Sequence, residues 1–171
     1  MFQAQATHGK QSKADFYRDL ERQLRSLLAD EHDAIANLAN FSSLVFTLLP
    51  DLNWAGFYLL KGNDLLLGPF QGKPACVRIP VLPTPRGVCG TAAYRRETQV
   101  VANVHEFPGH IACDSASNSE IVIPLVSNNT LIGVLDVDSP LLSRFDAIDR
   151  AGLEAMVATL LELTGFSTLR G

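Results

Sequence analysis

The spacing of apolar side chains changes period along this chain, and the changes outline its elements. Phe16, Leu20, Leu24 and Leu27 recur at helical spacing, with Arg18, Glu21, Arg22 and Arg25 between them, which predicts an amphipathic helix. The stripe Ile35, Leu38, Phe41, Val45 and Leu48 predicts a second helix, capped by Asp30 or Asp33 and ended by Pro50. The pattern then turns strand-like. Residues 52–60 and 64–70 read as strands across the turn Lys61-Gly62-Asn63, and further strands are expected at 76–81, 99–102, 120–126 and 131–138. Residues 87–96 read as a short helix after a glycine turn, and 103–119 as a long loop of the kind that often carries function. A last helix starts from Asp146 as N-cap, with Leu153, Met156, Val157 and Leu160 on one side. Helices at both ends of a sheet built from antiparallel hairpins predict an α+β layered domain.

Composition narrows the function classes. The chain has 171 residues, 47% apolar and 19% charged, as expected of one globular domain with a full core. A net charge of −4 gives no general attraction to nucleic acid or an anionic membrane surface. No apolar run approaches the roughly 18 residues needed to cross a bilayer. The first ten residues are polar and unlike a secretory signal, so residues 1–12 are expected to be a disordered tail and 13–171 a single domain. Three cysteines, an odd number, and no recognisable export signal point to a cytoplasmic thiol protein.

Those cysteines are the first candidates for chemistry. Cys76, Cys89 and Cys113 interrupt polar or Gly/Pro-containing segments (P-A-C-V-R, R-G-V-C-G-T and H-I-A-C-D-S) rather than an apolar repeat. Such settings suit redox or metal use more than packing. Cys113 stands between His110 and Asp114 in the long loop, where a thiolate would be accessible. Cys89 lies near a predicted helix N-terminus, where the macrodipole favours a thiolate, though it could equally be a small packing residue. No C-x2-C pair is present, which argues against structural zinc, and no metal or other cofactor is expected. His105 and His110 could partner a thiol by position alone, but loop histidines are more often solvated; His8 and His32 have no motif around them.

The carboxylates form a second group. Strict alternation puts Ile132, Val134, Asp136 and Asp138 on one face of a strand, and Glu120 with Val122 and Pro124 on one face of its neighbour. A three-residue connection, Ser127-Asn128-Asn129, would set Glu120 opposite Asp136, whereas a two-residue Asn128-Asn129 turn would send them to opposite faces. The first register is preferred because it clusters three acids, and crowding would then keep at least one protonated at neutral pH. In 53–58, Trp54, Gly56 and Tyr58 share a face, and Gly56 leaves a gap between aromatic walls that could take a small apolar or soft cationic group; an ordinary aromatic core strand would show the same spacing.

Taken in order, N-W-A-G-F-Y, G-P-F-Q-G-K-P-A-C-V-R-I-P, G-V-C-G-T-A-A, H-I-A-C-D-S-A-S-N-S-E-I-V-I-P, L-I-G-V-L-D-V-D-S-P and S-R-F-D-A-I-D-R-A-G-L-E resemble the free methionine-(R)-sulfoxide reductases. The likeness covers residues 16–163. It implies a GAF-like six-stranded antiparallel sheet with helices on both faces, the N- and C-terminal helices packed together, and often a homodimer. It implies free methionine (R)-sulfoxide as substrate, Cys113 as nucleophile, Cys76 as the main resolving thiol and Cys89 as a further redox-active cysteine. It also implies that Trp54, Tyr58, Glu120, Asp136 and Asp138 line the pocket, and that a thioredoxin-like dithiol restores the enzyme. One departure is the longer, proline-rich V-R-I-P-V-L-P-T-P-R segment, which leaves the resolving order of Cys76 and Cys89 open. Two other readings of the chain are a ligand-binding GAF sensory module and a peroxide-sensing thiol switch.

Overall fold

In a computed structural model, residues 11–109 and 115–166 are described. Helix α1 (Lys13–Leu28) is capped by the Ser12 side chain, which accepts from the Asp15 amide, and α2 (Ala34–Leu48) by Asp33, which accepts from the Ala36 amide at 2.9 Å. Strands β1 (Trp54–Lys61), β2 (Asp64–Gly72) and β3 (Arg78–Pro80) follow, then α3 (Gly87–Arg95) and β4 (Gln99–Val101). A single 3-10 turn at Val104–Glu106 precedes β5 (Ser119–Ser127), β6 (Thr130–Ser139) and α4 (Ala147–Leu163). Each of the six predicted strands and four predicted helices is present. The expected tail falls mostly on residues 1–10, which lie outside the described residues.

The strands form one antiparallel sheet in the order β3-β2-β1-β6-β5-β4. Alternation along the strands builds two cores, one on each face. Ala55, Phe57, Leu59, Ile121, Ile123, Leu125, Leu135 and Val137 pack beneath α1, α2 and α4 with Phe41, Leu24, Leu153 and Leu160. Trp54, Tyr58, Leu65, Val122 and Val134 face the other way, against α3 with Val88, Cys89, Ala92 and Ala93. Helices therefore cover both faces.

The terminal helices pack together through a buried ion cluster. Asp149, fully buried in the first turn of α4, accepts from the Tyr17 hydroxyl at 2.8 Å, Lys13 Nζ at 2.5 Å and Arg144 Nη1 at 3.1 Å. It also completes a capping box with Asp146, the predicted N-cap. Gly152 lets the helices approach: a Cβ there would stand 2.2 Å from Tyr17 Cγ.

Two helical stripes differ from expectation. In α1 the buried positions are Tyr17, Leu20, Leu24 and Leu28, with Phe16 and Leu27 only flanking them. In α2, Ile35 is 49% exposed while Asn37 and Ser42 are buried. Both polar side chains are held locally: Asn37 donates to Glu31 O and Thr164 Oγ1, and Ser42 donates to Leu38 O. Hydrogen bonding thus carries polar residues into a stripe where hydropathy alone would place Ile35.

Candidate active site

The register of β5 and β6 corrects the sequence expectation in an instructive way. Ser127 pairs with Thr130 across a two-residue turn in which Asn128 and Asn129 have φ of 48° and 60°, the left-handed pair that hairpin turns of this length require. Unmodified, that turn would split the acids between faces. A bulge between Leu125 and Val126 restores the alignment: Leu125 pairs with Gly133 and Val126 with Leu131, leaving Ile132 as the extra residue. Ile132 accordingly packs in the three-helix core rather than beside Val134. Beyond the bulge Glu120 stands opposite Asp138, not Asp136, and Val122 stands opposite Asp136.

The acids thus form part of two rows that cross the sheet. Val101, Glu120, Asp138, Trp54 and Gly72 are paired neighbours in one row; Gln99, Val122, Asp136, Gly56 and Phe70 are neighbours in the next. Helix α3 lays Cys89 over the acidic end, with Sγ 3.8 Å from Glu120 Oε1. One sulfur and two carboxyl oxygens from Cys89, Glu120 and Asp136 lie within 4.8 Å of one another. Among the described residues this is the grouping that could hold a metal ion. Metal binding would require deprotonated ligands, and burial opposes that here.

Burial controls the protonation of this cluster. Glu120 and Asp136 are 6% and 7% exposed. Removal from water is the main force holding the Glu120 carboxyl well above the usual carboxylate range, reinforced by the charges of Asp136 and Asp138. Burial likewise lifts Asp136 to about 6. Asp136 Oδ1 is buried with no hydrogen-bond partner, an acceptor that a donor-bearing ligand would satisfy. Asp138 is only half-buried.

Cys89 does not behave as a helix-end thiolate. It sits in the α3-side core, and burial followed by the charges of Asp136 and Glu120 pushes its thiol well above the ordinary range. Two carboxyls at close range outweigh the macrodipole of a short helix. Cys89 is a free thiol, whereas Cys76 is disulfide-bonded. The longer proline-rich segment that follows Cys76 is therefore compatible with its oxidation. Cys113, the expected nucleophile, and His110 lie outside the described residues. His105 shares a hydrogen bond with Asn118 Oδ1 at 3.0 Å.

The aromatic strand also departs from the simplest picture. Gly56 does not leave a gap, because Phe70 fills the space. A Cβ on Gly56 would stand 2.3 Å from Phe70 Cβ and 2.7 Å from Trp54 Cη2. Trp54 stacks on Phe70 at 5.2 Å and on Tyr58 at 5.8 Å between ring centroids. Two hydrogen bonds escaped sequence reasoning: Trp54 Nε1 donates to Lys73 O at 3.2 Å, and the Tyr58 hydroxyl donates to Cys76 O at 3.0 Å. Nothing in residue spacing announces a side-chain bond to a loop carbonyl.

A sequence profile described as "GAF domain" matches residues 33–161. The chain is 56% identical over 149 residues to a protein of Escherichia coli named free methionine-R-sulfoxide reductase, covering 87% of this chain and 88% of that one. It is 47% identical over 130 residues to a Saccharomyces cerevisiae protein of the same name, covering 71% of each. The crystallised free methionine-R-sulfoxide reductase of Neisseria meningitidis, determined in complex with its substrate, superposes with a TM-score of 0.88. It is 40% identical, with 99% of this chain and 100% of that chain covered.

Proposed function

The chain belongs to the free methionine-R-sulfoxide reductases, a family built on the GAF domain, and from that premise we propose that it reduces free L-methionine (R)-S-oxide to L-methionine. One observation carries this reading to particular residues: Glu120 and Asp138 share a cross-strand row with the indole of Trp54, and Asp136 in the adjacent row holds a buried, unsatisfied acceptor. A sulfoxide needs two things from such a site, a nucleophilic sulfur and a proton for its departing oxygen.

Cys113 is the proposed nucleophile. Its thiolate attacks the sulfoxide sulfur to form a transient S–S bond. The sulfoxide oxygen takes up a proton and passes to the Cys113 sulfur, so that the substrate S–O bond and the S–S bond both break, leaving a Cys113 sulfenic acid and releasing methionine as the thioether. Glu120 supplies the proton, since burial holds its carboxyl well above the usual carboxylate range and favours the neutral form. Asp136 and Asp138 then remain for the substrate ammonium. A peptide-bound methionine sulfoxide has no such ammonium, which would leave those acids unpaired and so favours the free amino acid. The indole of Trp54, in the row next to Asp136, offers the S-methyl group an apolar wall.

The cycle closes through a second thiol. Cys76 condenses with the sulfenic acid, releasing water and forming a Cys76–Cys113 disulfide, which prevents further oxidation. The disulfide-bonded state of Cys76 and the buried free state of Cys89 support Cys76 in this step. A thioredoxin-like dithiol restores both thiols by exchange, becoming a disulfide itself. No helix among the described residues is long and apolar enough to cross a membrane, and a reducing cytoplasm is the proposed compartment.

The test uses two variants. Cys113→Ser should form no methionine, while Cys76→Ser should form one equivalent and stop as a sulfenic acid. Steady turnover by Cys113→Ser would overturn the nucleophile assignment.

A further inference from the structure

The two aromatic hydrogen bonds on the α3 side both end on the loop that carries Cys76. Residues 73–76 link the end of β2 to β3 with no strand or helix of their own. Their backbone is nevertheless fastened twice from β1: Trp54 Nε1 holds Lys73 O at 3.2 Å, and the Tyr58 hydroxyl holds Cys76 O at 3.0 Å. Leu67 N donates to Val77 O at 2.9 Å just beyond. Strand β1 is a rigid base for such a clamp, since it pairs with β2 on one side and β6 on the other. The Tyr58 ring is 1% exposed and stacked on Trp54, so its hydroxyl has no freedom to swing away.

We infer that Tyr58 is a positioning residue that holds Cys76 where its sulfur closes a disulfide. This rests on the reading of Cys76 as the resolving thiol. Disulfide formation demands a narrow range of sulfur approach, so fixing the carbonyl of the attacking residue raises the effective concentration of its thiol. The hydrogen bond is present in the disulfide-bonded state, the state the clamp would favour. β1 then serves both halves of the cycle. Its pairing with β6 sets Trp54 and Gly56 beside the acids, while two of its side chains hold the loop that returns the enzyme to rest.

Tyr58→Phe removes the hydroxyl and keeps the stacked ring, so it isolates the clamp. The first measurement is the equilibrium between the Cys76 disulfide and dithiothreitol, in which the protein disulfide becomes two thiols and dithiothreitol becomes its cyclic disulfide. The variant should be tenfold or more easier to reduce. The second measurement mixes reduced protein with one equivalent of free methionine (R)-sulfoxide. Methionine formation and the lifetime of the sulfenic acid, trapped with dimedone, are followed together. Disulfide closure should slow at least tenfold relative to methionine formation in the same sample. An unchanged reduction equilibrium would overturn the clamp. If the parent protein made no methionine, the functional reading would fall, while the dithiothreitol equilibrium would still decide the role of Tyr58.

Discussion

The two faces of the sheet are made from the same strands and have opposite characters. Along β5 and β6, Ile121, Ile123, Leu135 and Val137 point beneath α1, α2 and α4 into a continuous apolar core. Their alternating neighbours Glu120, Val122 and Asp136 point beneath α3, where two carboxyls and a thiol are buried among Trp54, Tyr58 and Val134. The first face gains stability from the apolar side chains it buries. The second gives stability up, because each ionisable group there has been taken from water and one carboxyl oxygen lacks a partner. Two such environments can sit a strand's thickness apart because the side chains alternate, and the larger face carries the fold.

The largest expected effect belongs to the three-helix face. Phe57 is fully buried and meets Phe41 edge-on at 5.2 Å, so Phe57→Ala should cost about 3–5 kcal/mol in denaturant unfolding. The change leaves the acid rows of the opposite face in place, so methionine formation per folded molecule should fall far less than stability does. Next comes Glu120→Gln, which keeps the shape of the side chain and removes its proton. Single-turnover methionine formation should drop about 100-fold or more, with no loss of thermal stability. A variant that unfolded instead would place Glu120 among the structural residues.

A smaller effect of opposite sign is expected at Asp136. Burial lifts its carboxyl from the ordinary 3.8 to about 6 in the folded protein, so between those values the folded state holds the proton more tightly. Stability therefore declines as pH rises through this window, and the penalty is complete above about pH 6. Asp136→Asn removes it. The variant should melt a few degrees above the parent at pH 8, and the gap should close as the pH is lowered toward 4. A gap that widened on acidification would reverse the assigned direction.

Element order and the two-sided α+β architecture could be read from the sequence because they depend on periodicity, and period survives in any long segment. Asp146 was identifiable as a cap for a similar reason: its role depends on the few residues that follow it. The pairing of Glu120 was not readable, since it depends on a bulge at Leu125 and Val126 whose residues look like any other strand. The acid cluster was nonetheless anticipated, by assuming a longer turn that gave the same faces for a different reason. For Cys89 the sequence left a helix-end thiolate and a small packing residue both open, and only laying α3 on the sheet decides for the buried one. Likewise, Gly56 suggested a gap that only the pairing of β1 with β2 could fill, with Phe70. Local chemistry follows from neighbours in sequence, whereas burial follows from partners that sequence does not name.

The most direct test of the thiol reductase account counts sulfur. Fully reduced protein is mixed with excess free methionine (R)-sulfoxide in the absence of any reductant, and free thiols and methionine are quantified at completion. Two thiols should disappear from each chain for one methionine formed, with the buried Cys89 thiol still present. Protein that bound the sulfoxide with all three thiols intact, or lost thiols to peroxide while leaving the sulfoxide untouched, would contradict it.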